Sequence, residues 1–150
     1  MRGENAKVLV TGEEEMATTI KLEITTPEAM VYSDDVEMVT IPGVEGQMGL
    51  LPQHTRLMTY LVPGEMIVRK DGRDQFMAVG EGLVEVTNSR VLIATNMAIA
   101  AEKIDETVVE EARQRAAARL NEKLSAEEVA SVNATLARSV AQLNVKRRRR

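Results

Sequence analysis

Few residues in this chain have the chemistry that catalysis or metal binding requires. It contains one histidine, His54, and no cysteine, which excludes thiol nucleophiles, thiolate metal sites and clusters of several histidines. No serine or carboxylate is patterned around His54, so a loop histidine bonded to the backbone is favoured over a general base. No pair of carboxylates has an acid–base context either. The sequence therefore predicts no catalytic residue, no metal and no cofactor.

Gly43, Gly46 and Gly49 recur at every third position, a spacing that suggests a phosphate-binding loop. Such a loop needs a Lys-Ser or Lys-Thr pair and a helix after it, and the sequence here has neither. Glycine's tolerance of positive φ favours turns and bulges instead. Glu45 and Gln47 lie between these glycines, either as plain turn residues or as polar contacts for a partner.

Basic residues are concentrated toward the C-terminus. Residues 105–150 carry ten Lys and Arg against seven Asp and Glu, a net +3, whereas the rest of the chain carries –7. An acidic body with a basic appendage indicates two surfaces that meet different partners. The run at 146–150 is either a solvated, unstructured end or a contact for an acidic surface. The basic candidates for a regulatory contact are Arg113, Arg119, Lys123, Arg138, Lys146 and Arg147.

Short segments with strand-like patterns, separated by turns, fill residues 20–95. Residues 20–24 alternate between apolar and polar, which predicts a strand buried on one face. Asp71-Gly72 predicts a hairpin, because a type I′ turn needs positive φ. Strands are predicted at 20–24, 36–41, 57–62, 66–70, 75–79, 83–86 and 91–95, with a glycine-rich stretch over 42–52. About eight strands at this spacing favour an all-β sandwich or flattened barrel.

After Ile104 the apolar period becomes that of a helix. Asp105 is a favourable N-cap for a first helix, and Ser125 with Glu128 forms a capping box for a second. Two helices with so short a linker must fold back as an antiparallel hairpin. The faces predicted to pack are Val109, Ala112, Ala116, Leu120 and Leu124, then Val129, Val132, Leu136, Val140 and Leu143. Such alanine-rich faces bury little area, so the hairpin needs a docking surface or can leave one.

Four segments follow from these patterns. They are a flexible leader at 1–16, a β-sandwich domain at 17–100, a two-helix domain at 101–145 and a basic tail at 146–150. The longest apolar run, at 97–101, is five residues, against roughly 20 for a membrane-spanning helix. We therefore expect a soluble chain whose membrane association is indirect.

The run PGVEGQMGLLPQH at residues 42–54 closely resembles the signature of the epsilon subunit of F-type ATP synthases. A second run, GEGLVEV at residues 80–86, is similar to a later strand of that family, and the Asp-opened helical hairpin follows in the family's order. The resemblance covers residues 17–145. At the second position after its histidine the family often has proline, whereas this chain has Arg56 at that position.

The resemblance implies a ten-stranded β-sandwich followed by two helices. In the family the sandwich grips the gamma subunit and rests on the ring of c subunits, and the helices extend among the alpha and beta subunits and block hydrolysis. It implies a non-catalytic rotor subunit that supports coupling of ion flow to ATP synthesis at the cytoplasmic face of the plasma membrane. Glu45, Gln47 and His54 are then candidates for contact with the c ring or gamma.

A nucleotide motif of the family, (I/L)-D-x-x-R-A, is half present. Ile104-Asp105 matches its first two residues, and the arginine and alanine are absent. Asp105, Arg115 and Arg138 remain as candidates for weak nucleotide contacts.

Two other classes of function compete with this interpretation. The basic tail favours a nucleic-acid-binding module, but the net charge of –4 and the 2% aromatic content oppose it. A small hydrolase built on His54 ranks last, because no other catalytic residue accompanies it.

Overall fold

The computed structural model describes residues 18–149, so the predicted leader at 1–16 and the final Arg150 lie outside the described residues. The strands are β1 (Ile20–Thr25), β2 (Met30–Val36), β3 (Met38–Gly43), β4 (Gly46–Leu50), β5 (Leu57–Leu61), β6 (Gly64–Lys70), β7 (Arg73–Val79), β8 (Gly82–Val86), β9 (Arg90–Thr95) and β10 (Ala98–Ala100). A 3-10 helix (Ala101–Lys103) leads into α1 (Glu106–Arg119) and α2 (Ala126–Arg148).

The ten strands form one sheet, in the order β10-β7-β6-β3-β5-β8-β9-β1-β2, with β4 paired to β3. Neighbouring strands are antiparallel except β1 and β9, which pair in parallel. The sheet curves until β2 comes close to β6, where Asp34 and Lys70 form an ion pair. This near-barrel followed by two helices confirms the predicted fold class.

The main core lies inside the curved sheet. Along β1 the side chains alternate between buried and half-buried, as a period of two requires when one face points inward. The buried members are Ile20, Leu22, Ile24, Val36, Val39, Ile41, Leu50, Leu61, Met66, Val68, Met77, Val79, Val84, Val86, Val91 and Ile93. Every one of these comes from a strand, so the sandwich has its core without the helices.

Two turns adopt the backbone conformations that glycine and aspartate favour. At the predicted β6–β7 hairpin, φ is 54° at Asp71 and 74° at Gly72, which confirms the type I′ signal. Gly46, with φ of 111°, closes a hairpin between β3 and β4. The stretch predicted as glycine-rich turns therefore also contains a strand, β4.

Three other strand assignments differ from prediction. The strand predicted at 36–41 is divided, because β2 ends at Val36 and β3 starts at Met38. Sequence patterns missed β2 itself, since Ser33-Asp34-Asp35 interrupts its apolar residues. They also missed β10, which has three residues and is too short for a period to be recognised.

Both helices begin where their caps predict. Asp105 accepts a hydrogen bond from the backbone N–H of Val108 at 3.2 Å, and α1 starts at the next residue. Ser125 and Glu128 form the complete capping box that opens α2. The two helices pack against each other as a hairpin.

The C-terminal boundary of the second helix was predicted wrongly. α2 continues to Arg148, through the apolar residues and most of the basic run, so residues 146–148 are helical rather than a separate tail. Val140, predicted to pack, is 43% exposed, and Leu120 is 41% exposed. Neither helix, within the described part of the chain, is long and apolar enough to cross a membrane.

Candidate functional site

The β3–β4 turn projects from one end of the sandwich. Gly43 pairs with Gly46 across it, and the exposed Val44 and Glu45 form its tip. Gln47, the next exposed side chain, borders a groove of about 540 Å³ that lies between this end and the C-terminal half of α2. Glu45 and Gln47 therefore share one solvent-facing end.

His54 lies at the opposite end of the sandwich, because the whole of β4 separates it from the β3–β4 turn. Its Nδ1 donates to the backbone oxygen of Thr55 at 2.8 Å, and its backbone N–H donates to Leu51 at 3.1 Å. The neighbouring Gln53 bonds to Asn88 at 2.9 Å, in the β8–β9 turn. The prediction of a backbone-bonded loop histidine is confirmed, and the structure does not bring His54 together with Glu45 and Gln47.

An exposed apolar face, which sequence patterns missed, covers the outside of β5 and β8. Met58 is 67% exposed, Tyr60 64% and Leu83 45%, and Tyr60 is directly opposite Leu83 in the register. Folded monomers seldom leave large side chains grouped in this way. A signal was present, since Met58 and Tyr60 put large side chains on the outward face of a strand whose inward face also carries leucines.

The helical hairpin docks on the outer face of β6, β7 and β10 through a small second cluster. Ala78, Ala101, Ile104, Val109, Leu143 and Val145 are its buried members. Phe76, Met97 and Ile99 pack partly buried around them. This cluster is separate from the main core, so the hairpin is seated on the sandwich and is not part of its interior.

Three of the predicted regulatory basic residues lie on α1 and in the connection between the two helices. Arg113 donates to Glu110 at 2.5 Å and lowers the pKa of that carboxyl. Arg119 lies 3.9 Å from Glu128 across the two helices. Lys123 is exposed in the connection between the helices. Two of these three basic residues therefore pair within the folded hairpin, and the third faces solvent.

The remaining basic candidates link α2 to other parts of the chain. Arg147 donates to Glu106 at 2.6 Å and to Glu110 at 3.3 Å, both on α1. Lys146 donates to the backbone oxygen of Ala101 at 3.3 Å. Arg148 and Arg149 reach Glu65 on β6. The basic run from 146 to 149 therefore makes internal contacts, which contradicts, for these residues, the alternative of an unstructured end.

The three nucleotide candidates do not form a cluster of free groups. Asp105 is occupied as the cap of α1. Arg138 lies 3.6 Å from Glu81, and Glu81 also accepts from Asn96 at 2.8 Å. Arg115 is exposed on α1. Across residues 18–149 there is also no group of three or more acidic, histidine or cysteine side chains arranged to hold a metal.

Two family models match consecutive parts of the chain. The ATP synthase delta/epsilon chain β-sandwich domain matches residues 19–101, and the long α-helix domain of the same chain matches residues 102–147. Together they cover both the curved sheet and the helical hairpin.

Curated relatives agree with this match. An ATP synthase epsilon chain of Herpetosiphon aurantiacus is 40% identical over 131 residues, 87% of this chain and 96% of the relative. One of Desulforamulus reducens is 41% identical over 108 residues, 72% of this chain and 82% of the relative.

Solved structures share the fold. A chain in the Euglena gracilis mitochondrial ATP synthase, resolved as OSCP, F1 and c ring, has a TM-score of 0.72 at 23% identity, covering 95% of this chain and 90% of that one. A chain of the Tetrahymena thermophila central stalk and c ring has a TM-score of 0.58 at 12% identity, covering 85% and 96%. With both domains matched in order and nearly the whole of a 40% identical relative covered, this chain belongs to the ATP synthase delta/epsilon chain family.

Proposed function

We propose that this chain is the small central-stalk subunit of an F-type ATP synthase. In this role it links the gamma subunit to the c ring, supports coupling of ion flow to ATP synthesis, and restrains ATP hydrolysis through its helical hairpin. It has no active site of its own, and it is held at the cytoplasmic face of the plasma membrane by its partners. The matched pair of domains supports the role of such a subunit.

The exposed apolar face of β5 and β8 supports a permanent protein partner. Large apolar side chains grouped on the surface are typical of an interface, and Met58, Tyr60 and Leu83 lie together here. We assign this face to the gamma subunit. Its apolar character fits a contact that persists while the rotor turns.

We assign the β3–β4 turn, at one end of the sandwich, to the c ring. Glu45 and Gln47 offer polar groups there, beside Val44, which is 58% exposed. His54 lies at the other end of the sandwich and cannot share that contact, so it is proposed for gamma alone. A subunit placed between two partners needs separated surfaces of this kind.

The observation that carries the regulatory part is the separation of the two buried clusters. The hairpin docks through six buried residues, two of them alanine, that lie outside the main core. Its removal therefore leaves the interior of the sandwich intact. A hairpin docked in this way can move to alpha and beta subunits when their surfaces bind it more strongly.

Truncation after Ile104 tests the role as a whole. The shortened chain, assembled with an ATP synthase that lacks this subunit, should bind gamma and support coupled synthesis, while ATP hydrolysis rises. The full-length chain, assembled in parallel, is the control. Unchanged hydrolysis would remove the inhibitory role and leave the coupling role standing, whereas loss of gamma binding would remove the coupling role.

A cross-link tests the movement without deleting anything. The amide nitrogen of Gln142 on α2 lies 3.1 Å from the sulfur of Met97 on the sandwich, and the native chain has no cysteine. A Met97→Cys, Gln142→Cys variant joined by a cleavable bismaleimide should lose inhibition of hydrolysis, and cleavage should restore it. Full inhibition by the cross-linked chain would contradict release of the hairpin.

The alternative of nucleic-acid binding has less support than the sequence offered. It was based on the basic run at the C-terminus. Within residues 18–149 three arginines of that run, Arg147, Arg148 and Arg149, each pair with a carboxylate, so they are already neutralised inside the chain. Titration with duplex and single-stranded DNA at about 150 mM salt tests it, because phosphate contacts give binding that weakens with salt.

A further inference from the structure

A carboxylate is buried on the outer face of the sandwich, under the C-terminal end of α2. Glu65 of β6 is 8% exposed, and it lies directly opposite the fully buried Ala78 of β7. Burial of an ionised carboxylate is unfavourable unless charged partners and hydrogen bonds compensate it. Its partners therefore decide whether this face of the sandwich is stable.

Both partners of Glu65 come from the basic run. Arg149 donates to it through two nitrogens, Nε to Oε2 at 2.9 Å and Nη2 to Oε1 at 3.0 Å. Arg148 adds a third bond from Nη1 to Oε1 at 3.1 Å. The paired donation by Arg149 is the planar geometry that only a guanidinium provides for a carboxylate.

Arg149 also lies on an aromatic ring. Its guanidinium carbon is 3.8 Å from the centre of the Phe76 ring, and Phe76 is the one phenylalanine of the chain. The negative face of an aromatic ring attracts a cation most strongly where water is excluded. Phe76 packs against the second cluster as well, so one ring contacts both the docked hairpin and the arginine.

These arginines lie at the C-terminal end of the hairpin, so their contact with Glu65 fixes the end that is not covalently joined to the sandwich. Arg148 ends α2 and Arg149 caps it, with its N–H bonded to Val145 at 3.0 Å. The other end of the hairpin is tied to the sandwich through the 3-10 helix. The hairpin is thus held at its covalent start and at its C-terminal end.

We propose that Arg148 and Arg149 form a latch with Glu65 and Phe76, and that opening of this latch controls release of the helical hairpin. The significance of release rests on the proposed inhibitory function, but the latch itself is a property of the folded chain. While it is closed, the docked end of α2 cannot leave the sandwich without stripping a buried carboxylate of both partners. Any acidic surface that competes for the two arginines favours the open hairpin.

Hydrogen exchange of the full chain, followed by mass spectrometry, tests the latch. The double variant Arg148→Gln, Arg149→Gln should exchange the amides of residues 136–148 about 10- to 100-fold faster than the native chain, because charged hydrogen bonds are lost. Arg149→Lys, which keeps the charge but loses the paired geometry, should give a smaller increase.

Arg147→Gln is the matched control. Like the single variant Arg149→Gln, it removes one positive charge from the end of α2, but its partners, Glu106 and Glu110, are on α1. It should leave exchange of the amides of residues 136–148 close to native. Amides of β1 and β9 give an internal reference, and their unchanged protection shows that the sandwich remains folded.

A cycle of variants separates the latch from a general effect of charge. Glu65→Gln and Arg149→Gln should each speed exchange, and their combination should speed it no more than the larger single effect. The proposal would be overturned by native exchange rates in the latch variants, or by an equal acceleration in Arg147→Gln. It would also be overturned if the effects of Glu65→Gln and Arg149→Gln multiplied when the two were combined. Hydrolysis is not measured here, so the latch and the inhibitory function can fail separately.

Discussion

The β-sandwich and the helical hairpin are stabilised in different ways. The sandwich core holds sixteen buried residues, all apolar and all from strands, whereas the cluster beneath the hairpin holds six, two of them alanine. The hairpin compensates with charge: Arg138 pairs with Glu81, and Arg148 and Arg149 pair with Glu65, both carboxylates of the sandwich. Apolar area gives a permanent body, and a few charged contacts give an attachment that a competing partner can replace.

The largest effect should come from the sandwich core. Leu22 is fully buried, and Leu22→Ala should lower the free energy of unfolding by about 2–5 kcal/mol, because it removes apolar contacts and leaves a cavity. Urea denaturation followed by circular dichroism measures this loss. Met58→Ala, at a side chain that is 67% exposed, should change it by less than about 0.5 kcal/mol. Equal losses in the two variants would contradict the assignment of the core.

A smaller and local effect should follow from Leu143→Ala in the cluster beneath the hairpin. Its side chain is 3% exposed, and its loss should weaken docking by about 2 kcal/mol without unfolding the sandwich. Hydrogen exchange should accelerate in α2 while β1 and β9 stay protected. Val140→Ala, three residues earlier and 43% exposed, is the control and should change little. Loss of protection in both regions would mean that the two clusters are one cooperative unit.

The capping box of α2 should contribute less again. Ser125→Ala removes the side-chain acceptor for the N–H of Glu128 and should cost about 1 kcal/mol of local helix stability. Exchange at residues 126–130 measures it. Ser131 is a solvent-exposed residue further along the same helix, and Ser131→Ala should show no such loss. A loss of similar size in Ser131→Ala would contradict the role of Ser125 as a cap.

The weakest effect concerns pH and the ion pairs within the hairpin. The hydrogen bond from Arg113 lowers the pKa of Glu110 from its ordinary value of 4.5. Because the folded pKa is the lower one, this carboxylate stabilises the hairpin above pH 4.5, and the contribution is lost as pH falls through the folded pKa. Carboxyl NMR titration locates the midpoint, and helicity followed over the same range reports the loss. Glu110→Gln should flatten that part of the profile, and an identical profile in the variant would contradict the assignment.

Local chemistry made part of this structure predictable. Asp71-Gly72 and the Ser125 capping box act over two to four residues, so their sequence signals specify the backbone directly. The glycine run was also informative, although β4 within it was missed because its glycines resemble turn residues. β2 was missed since paired strands tolerate polar residues on an outward face, as at Ser33 and Asp35.

The contacts that distinguish the hairpin were beyond sequence patterns. Glu65 and Arg149 are 84 positions apart, and nothing near either residue indicates that they meet. Arginines at a chain end ordinarily remain solvated, which is why the basic run was predicted as a tail. A buried carboxylate in a strand is a weak signal by itself, and its partner becomes apparent once α2 lies across β6.

The parallel pairing of β1 with β9 has a consequence for biosynthesis. Lys21 is paired with Arg90, and Thr25 with Ala94. The sheet therefore cannot close until β9, one of the last strands in the chain, has been synthesised and can pair with β1. A ribosome adds about 5–20 residues per second, and the sandwich therefore closes seconds after β1 emerges. The two helices are synthesised later still, after the sheet on which they dock has closed. A nascent chain that stalls before β9 leaves one edge of β1 open to pairing with neighbouring chains.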